Sequence, residues 1–142
     1  MSIVHPRLPG ARVLDLFAGT GALGLEALSR GAAFVDFVEK SSRTARVLRE
    51  NVEALGAGDR CEVHVDDALR FIARRPSDAP AYDIAFADPP YRTGDAQAIA
   101  EAWLARPFAT LLGVEHEATR TLPRGDDVRR YGDTGVTLYG AT

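Results

Sequence analysis

The sequence lacks a second cysteine, a long apolar run and a cluster of metal-ligating side chains. Cys61 stands alone, which excludes an internal disulfide, and the alternating run 61–65 predicts that it is a small buried strand residue. His5, His64 and His116 are scattered along the chain, so we expect no metal site. No apolar run approaches the roughly 20 residues of a membrane span, and the first residues lack a basic segment followed by an apolar one. We therefore expect a cytoplasmic protein that makes no use of a membrane.

An excess of positive charge is also missing. The 17 Lys and Arg residues face 20 Asp and Glu residues, and the net charge of −3 gives no overall attraction to nucleic acid. Lys40 is the only lysine, and arginine is the better fork for phosphates and base edges. Four arginines could form a local basic patch or could be ordinary solvated surface residues, and both interpretations stay open: Arg92, Arg124, Arg129 and Arg130.

The 142 residues, of which 46% are hydrophobic and 26% charged, fit one compact domain over residues 1–142. Short apolar runs predict buried strands at 11–18, 33–38, 61–65, 82–87 and 110–115. Helical spacing and caps predict helices at 22–29, 41–55, 67–72 and 96–104, and two last runs predict a hairpin of 128–131 with 136–139 across Gly132 to Gly135. This alternation predicts an α/β fold of the Rossmann-like type, with a mostly parallel seven-stranded sheet and helices on both faces.

A glycine-rich loop follows the first predicted strand. Gly19, Gly21 and Gly24 satisfy the three-glycine pattern of a dinucleotide loop, and Glu39 lies about 20 residues on, where a ribose-binding acid belongs. Taken alone, the loop leaves a nicotinamide oxidoreductase open. Asp15 favours another cofactor, because a carboxylate beside the loop repels a pyrophosphate but suits an ammonium group. S-adenosylmethionine has an ammonium, a sulfonium and a ribose diol.

The predicted cofactor contacts follow from this interpretation. The loop glycines let the backbone approach the cofactor, and Glu39 is expected to bind both ribose hydroxyls. Asp67 and Ala68 are expected at the adenine edge, at the end of the third strand. A helix cap explains Asp67 equally well, and Asp66 competes for the role.

The fourth predicted strand delivers Asp88-Pro-Pro-Tyr91 to the same end of the sheet. The lone pair of an exocyclic amine is delocalised into its ring, so the amine is a poor nucleophile. If the Asp88 carboxylate and the Pro89 carbonyl accept its two N–H bonds, they direct the lone pair at the methyl group and stabilise the developing positive charge. Pro90 helps to stiffen the loop, and Tyr91 can stack on a base. As an isolated tetrapeptide, the motif also makes an ordinary turn.

These motifs resemble the RsmD-type 16S rRNA (guanine-N2)-methyltransferases of bacteria. The resemblance covers nearly the whole chain, in residues 14–32, 38–40, 51–56, 67–69, 88–91 and 130–134. It implies a class I methyltransferase domain with a C-terminal β-hairpin, S-adenosylmethionine as cofactor, and one methyl group transferred to a guanine N2 of small-subunit rRNA on a ribosomal particle or its assembly intermediate. Members of the family carry a basic extension ahead of the first strand, whereas about ten residues precede it here, which leaves the RNA affinity of this chain open. We expect a monomer.

The predicted site residues fall into two groups. The cofactor-binding group is Asp15, Phe17, Ala18, Gly19, Gly21, Glu39, Lys40, Asp67 and Ala68, and the catalytic group is Asp88, Pro89, Pro90 and Tyr91. The Asp-Pro-Pro-Tyr motif is shared with DNA adenine-N6 methyltransferases, so it identifies the chemistry better than the substrate. A DNA methylase therefore remains an alternative, and so does a non-catalytic RNA-binding or assembly module with the same fold.

Overall fold

A computed structural model describes residues 7–140. Its strands are β1 (Arg12–Leu16), β2 (Phe34–Glu39), β3 (Cys61–Val65), β4 (Tyr82–Ala87), β5 (Ala109–Glu117), β6 (Asp127–Tyr131) and β7 (Thr134–Gly140). Its α-helices are α1 (Ala22–Ser29), α2 (Ser42–Ala54), α3 (Ala68–Arg74) and α4 (Asp95–Ala105), and a 3-10 turn spans Gly58–Arg60. None of these helices is long and apolar enough to cross a membrane.

The strands form one seven-stranded sheet in the order β3-β2-β1-β4-β5-β7-β6. The pairs among β1 to β5 are parallel, whereas β7 runs antiparallel between β5 and β6. The chain moves outward from β1 to β3 and then returns to place β4 on the other side of β1. This reversal creates a crevice at the carboxyl ends of β1 and β4, the usual ligand site of such sheets. The predicted Rossmann-like fold with its C-terminal hairpin is confirmed.

Both faces of the sheet are covered, which explains why the central strands are continuous apolar runs. Leu14 and Leu16 of β1 point into a core shared with α3 and α4, and Val13 points into a second core shared with α1 and α2. Cys61 is buried at the start of β3, as its alternating sequence predicts.

Three of the element boundaries that differ from the prediction have a clear structural cause. The first strand ends at Leu16, because Phe17 adopts a φ of 59° and turns the chain out of the sheet. The fifth strand runs to Glu117 instead of residue 115, because its last residues pair with the start of β7. The hairpin turn contains only residues 132–133, since Tyr131 pairs directly with Thr134.

Candidate active site

The glycine-rich loop leaves β1 through a short run of left-handed backbone. Phe17 and Gly19 each have a φ of 59°, and Gly21, the N-cap of α1, has a φ of 94°. The Ala18 N–H donates to the Val38 carbonyl at 3.0 Å, which ties the loop to β2. Left-handed backbone is unfavourable for a residue such as Phe17 and concentrates at functional sites.

Glu39, at the end of β2, holds the next part of the loop. Its Oε1 accepts a hydrogen bond from the Gly19 N–H at 2.9 Å, and its Oε2 accepts one from the Ser41 N–H at 2.8 Å. Each carboxylate oxygen has a second lone pair, so both oxygens can accept a further hydrogen bond from a ligand. Two adjacent hydroxyls of a ribose match this pair of acceptors.

Asp15 lies under the loop and is 2% exposed. Its Oδ2 accepts a hydrogen bond from the Gly24 N–H at 3.0 Å. Burial raises the pKa of Asp15 to about 8, against the effect of this hydrogen bond and with help from the negative charges of Asp88 and Glu39. A neutral carboxyl at this place is ready to ionise when a cation approaches the loop.

Gly24 allows α1 to pack closely on β2 behind the loop. A Cβ at this position would lie 2.2 Å from Cε1 of Phe37 and 3.0 Å from Oδ2 of Asp15. Phe37 is fully buried, so a Cβ at position 24 would fit only if the ring and the helix were displaced. This position is the third glycine of the loop pattern, whose role is the close approach of helix and strand.

We expect Gly24→Ala to lower the free energy of unfolding by about 1–3 kcal/mol, because overpacking forces the ring and helix apart. Urea unfolding followed by circular dichroism measures this loss. Gly58→Ala is the matched control, since a Cβ at Gly58 would meet nothing within 4 Å. An equal loss in both variants would contradict the packing role of Gly24.

An open cavity of ≈ 940 Å³ lies at the carboxyl ends of the central strands. This volume falls at the upper end of the range of about 300–1,000 Å³ for small-molecule sites. Nine of the predicted site residues line it: Phe17, Glu39, Lys40, Asp67, Ala68, Asp88, Pro89, Pro90 and Tyr91. The other predicted residues shape or support the adjoining loop without lining the cavity: Asp15, Ala18, Gly19 and Gly21.

The charge of the cavity selects among cofactors. Five acidic residues line it against the single base Lys40: Glu39, Asp66, Asp67, Asp88 and Asp95. Such a wall attracts cations and repels the phosphates of a dinucleotide. The residues therefore fit S-adenosylmethionine, with its ammonium, sulfonium and ribose diol, better than a nicotinamide cofactor. Asp67 also caps α3 by accepting from the Arg70 N–H at 3.1 Å, so capping and cavity lining coexist there.

The Asp-Pro-Pro-Tyr loop follows β4 and faces the cavity. Asp88 is exposed, whereas Pro89 is buried and anchors the turn. The Pro90 carbonyl accepts a hydrogen bond from Thr93 Oγ1 at 3.0 Å, and Tyr91 Oη lies 3.3 Å from Thr134 Oγ1 at the start of β7. The loop is thus attached to the C-terminal hairpin, and Tyr91 keeps 44% of its surface exposed for a ligand.

Glu115 is a candidate that the sequence reasoning missed. The register pairs Ala87 of β4 with Val114 of β5, so Glu115 lies next to Asp88 across the two strands. Burial raises the pKa of Glu115, and the negative charge of Asp88 and a hydrogen bond with its side chain raise it further. The only sequence signal for Glu115 was an acidic residue at the end of a predicted strand. Its position beside Asp88 depends on the pairing of β4 with β5, which the local sequence does not show.

A second polar cluster lies on β2 and β3, away from the loops described above. His64 Nε2 lies 2.8 Å from Asp36 Oδ1 and 3.2 Å from Glu62 Oε2, and the Tyr82 hydroxyl donates to Asp36 Oδ2 at 2.7 Å. The three ligand-type side chains lie within 4.8 Å of one another. Their mutual hydrogen bonds explain the cluster as an ion-pair network, in which Asp36 raises the pKa of His64. The absence of a metal stays a prediction.

The sheet order, the acidic cavity at the reversal point and the Asp-Pro-Pro-Tyr loop on β4 define a class I methyltransferase. A family model described as Conserved hypothetical protein 95 matches residues 1–139. The chain belongs to this family, the RsmD-type methyltransferases, and S-adenosylmethionine is its cofactor. The predicted family, fold class and cofactor are therefore confirmed.

Relatives of known name agree with this assignment. The chain is 35% identical over 142 residues to Ribosomal RNA small subunit methyltransferase D of Haemophilus influenzae, covering 94% of this chain and 72% of the relative. It is 31% identical over 147 residues to Putative rRNA methyltransferase YlbH of Bacillus subtilis, covering 97% of this chain and 80% of that protein. Among solved structures, Putative methyltransferase yhhF of Escherichia coli superposes with a TM-score of 0.83 at 31% identity, covering 99% of this chain and 82% of that one.

Proposed function

We propose that this chain is the catalytic domain, over residues 1–142, of a methyltransferase that modifies the exocyclic N2 amine of a guanine in small-subunit rRNA. The observation that carries the proposal is that one cavity is lined both by Phe17 and Glu39, which begin and hold the glycine loop after β1, and by Asp88–Tyr91 after β4. The names of the relatives support ribosomal RNA as the substrate class. We infer that the protein acts in the cytoplasm, as a monomer, on a small-subunit particle or its assembly intermediate.

The cofactor side of the cavity has a partner for each polar part of S-adenosylmethionine. When bound, this cofactor supplies an electrophilic methyl group on a sulfonium. Glu39 binds the two ribose hydroxyls while its backbone hydrogen bonds hold the carboxylate in place. Asp67 and Ala68 contact the adenine edge, and the loop over Asp15 receives the ammonium group, whose positive charge favours the ionised form of Asp15.

The amine side of the cavity orients the nucleophile. The Asp88 carboxylate and the Pro89 carbonyl accept the two N–H bonds of the target amine, so that its lone pair points at the methyl group. The positive charge that develops on nitrogen is stabilised by the same carboxylate. Tyr91, exposed at the rim, stacks on the base, and Glu115 supports Asp88 from the adjacent strand. These roles require neither a metal nor a covalent nucleophile.

Transfer of a tritiated methyl group distinguishes the candidate substrates. We expect the chain to label small-subunit particles, and digestion of the RNA followed by mass spectrometry to yield N2-methylguanosine. Labelling of adenine in duplex DNA instead would identify a DNA adenine-N6 methyltransferase, a class of enzyme that carries the same Asp-Pro-Pro-Tyr motif. Tight binding of S-adenosylmethionine without transfer to either substrate would favour a non-catalytic module.

A further inference from the structure

The four arginines that the sequence offers as a basic patch do not act as one group. Arg129 forms an ion pair with Asp127, with Nε 2.9 Å from Oδ2, which neutralises its charge. Arg124 precedes β6, whereas the hairpin turn between Tyr131 and Thr134 follows it. Arg124 therefore lies at the end of the hairpin opposite to this turn. Only Arg92 and Arg130 remain near the catalytic loop.

Arg120, which the sequence did not single out, joins these two. The Arg130 Nε donates to the Ala118 carbonyl at 2.9 Å, and Arg92 Nε lies 4.0 Å from Glu117 Oε1. Arg120 and Arg92 line one small crevice together with Tyr91. Three exposed guanidinium groups thus surround the end of β5. We call this set, with the adjacent exposed tyrosine, the hairpin-end surface: Arg92, Arg120, Arg130 and Tyr131.

The hairpin-end surface adjoins the catalytic loop directly. Tyr91 Oη lies 3.3 Å from Thr134 Oγ1, and Thr134 pairs with Tyr131 across the hairpin turn. Tyr91 is 44% exposed and Tyr131 is 56% exposed, which is high for such large rings. Tyr91, which lines both the cavity and the small crevice, therefore joins the catalytic loop to a surface with a second exposed tyrosine and three exposed arginines.

Charge separates this surface from the cavity beside it. The cavity is lined by five acids and one lysine. The three arginines here are exposed, whereas Glu115 and Glu117, which line the crevice beside Arg92 and Arg120, are only partly exposed. On a chain with a net charge of −3, this group of three exposed arginines gives a polyanion a favourable approach to the catalytic loop. The cationic cofactor is attracted to the other side.

We propose that the hairpin-end surface binds the phosphate backbone of an unpaired RNA segment next to the nucleotide whose base enters the cavity. Guanidinium groups bind phosphate oxygens in a bidentate manner, and Tyr131 stacks on a neighbouring unpaired base, as aromatic side chains do in single-stranded RNA recognition. This inference rests on the proposed function, because it assigns RNA as the polyanion.

The double variant Arg120→Ala/Arg130→Ala tests the inference by fluorescence anisotropy of a labelled unpaired RNA oligonucleotide. We expect its Kd to rise about tenfold or more. The slope of log Kd against log salt concentration should fall by about 1.4, because each lost phosphate contact to a single strand lowers this slope by about 0.7. The affinity for S-adenosylmethionine should be unchanged. Arg43→Ala/Arg46→Ala on α2 is the matched control, since both of its arginines are also exposed.

The outcomes separate this inference from the proposed function. Unchanged RNA affinity and salt slope, or an equal loss in the α2 control, would overturn it. If the loss affects duplex DNA and not RNA, the assignment of RNA is wrong. Because Arg130 bonds to the Ala118 carbonyl, the single variant Arg120→Ala provides the same test with less risk to folding. Arginine-dependent RNA binding without methyl transfer to rRNA would support the surface and reject the proposed function.

Discussion

Replacing Asp88 with alanine is expected to lower the rate of methyl transfer by about 10²–10³-fold, the effect of removing one preorganised group that stabilises transition-state charge. Asp88 is exposed at the end of β4, so the change leaves no buried gap. It removes the acceptor that orients the amine and the negative charge nearest to the nitrogen. Single-turnover transfer from tritiated S-adenosylmethionine to small-subunit particles measures this loss.

The affinity for S-adenosylmethionine distinguishes this catalytic role from a role in cofactor binding. Calorimetric titration should show that the Kd of Asp88→Ala lies within about threefold of the Kd of the unchanged chain. This corresponds to a change in binding free energy of less than about 1 kcal/mol. Asp95→Ala is the matched control, because Asp95 lines the same cavity at the start of α4 but lies outside the tetrapeptide. An active Asp88→Ala variant, or one in which only cofactor binding fails, would remove the role assigned to Asp88.

Replacing Asp15 with asparagine is expected to stabilise the free protein while weakening its cofactor binding. The pKa of Asp15 is about 8 in the folded chain, above the ordinary value of 3.8 for an aspartate. The unfolded chain therefore loses this proton at lower pH than the folded chain, and the free energy of unfolding falls as the pH rises from about 4 to about 8. Asparagine keeps the shape and an acceptor for Gly24 but has no proton to lose.

The size of the effect therefore depends on pH. We expect Asp15→Asn to raise the free energy of unfolding by about 2–4 kcal/mol at pH 8 and to change it little at pH 4, where both states keep the proton. Urea unfolding without cofactor at the two pH values measures the difference. Asp78→Asn, at an exposed turn position, should show no such dependence on pH. A stability gain that is the same at both pH values would contradict a buried neutral Asp15.

The same substitution should raise the Kd for S-adenosylmethionine at least about tenfold, because the loop loses the charge that complements the ammonium group. In the unchanged chain, cofactor affinity should increase with pH up to about 8, as Asp15 ionises more easily. Titration across this range measures both effects. Such an exchange of stability for binding is common at functional sites.

Local patterns were sufficient for most of the fold. Short apolar or alternating runs mark the strands, and glycines, helix caps or prolines follow β1 to β4. The order of elements and the positions of Asp15, Glu39 and Asp88 near strand ends therefore followed from residues close together in the chain. Where boundaries were wrong, as at Phe17 and Glu117, the decisive contact came from another strand. Long-range pairing sets such ends, and a short window of sequence does not contain it.

The sequence by itself determined the two motifs that identify the chemistry, because each is a short run of residues that is recognised without knowledge of its neighbours in space. Tertiary structure decided the electrostatics. It buried Asp15 beneath the loop and raised its pKa, placed Glu115 beside Asp88 through the pairing of β4 with β5, and selected Arg120 and Arg130 instead of Arg124 and Arg129 for the surface beside Tyr91. Charge, burial and distance depend on residues remote in the chain, and only folding brings them together.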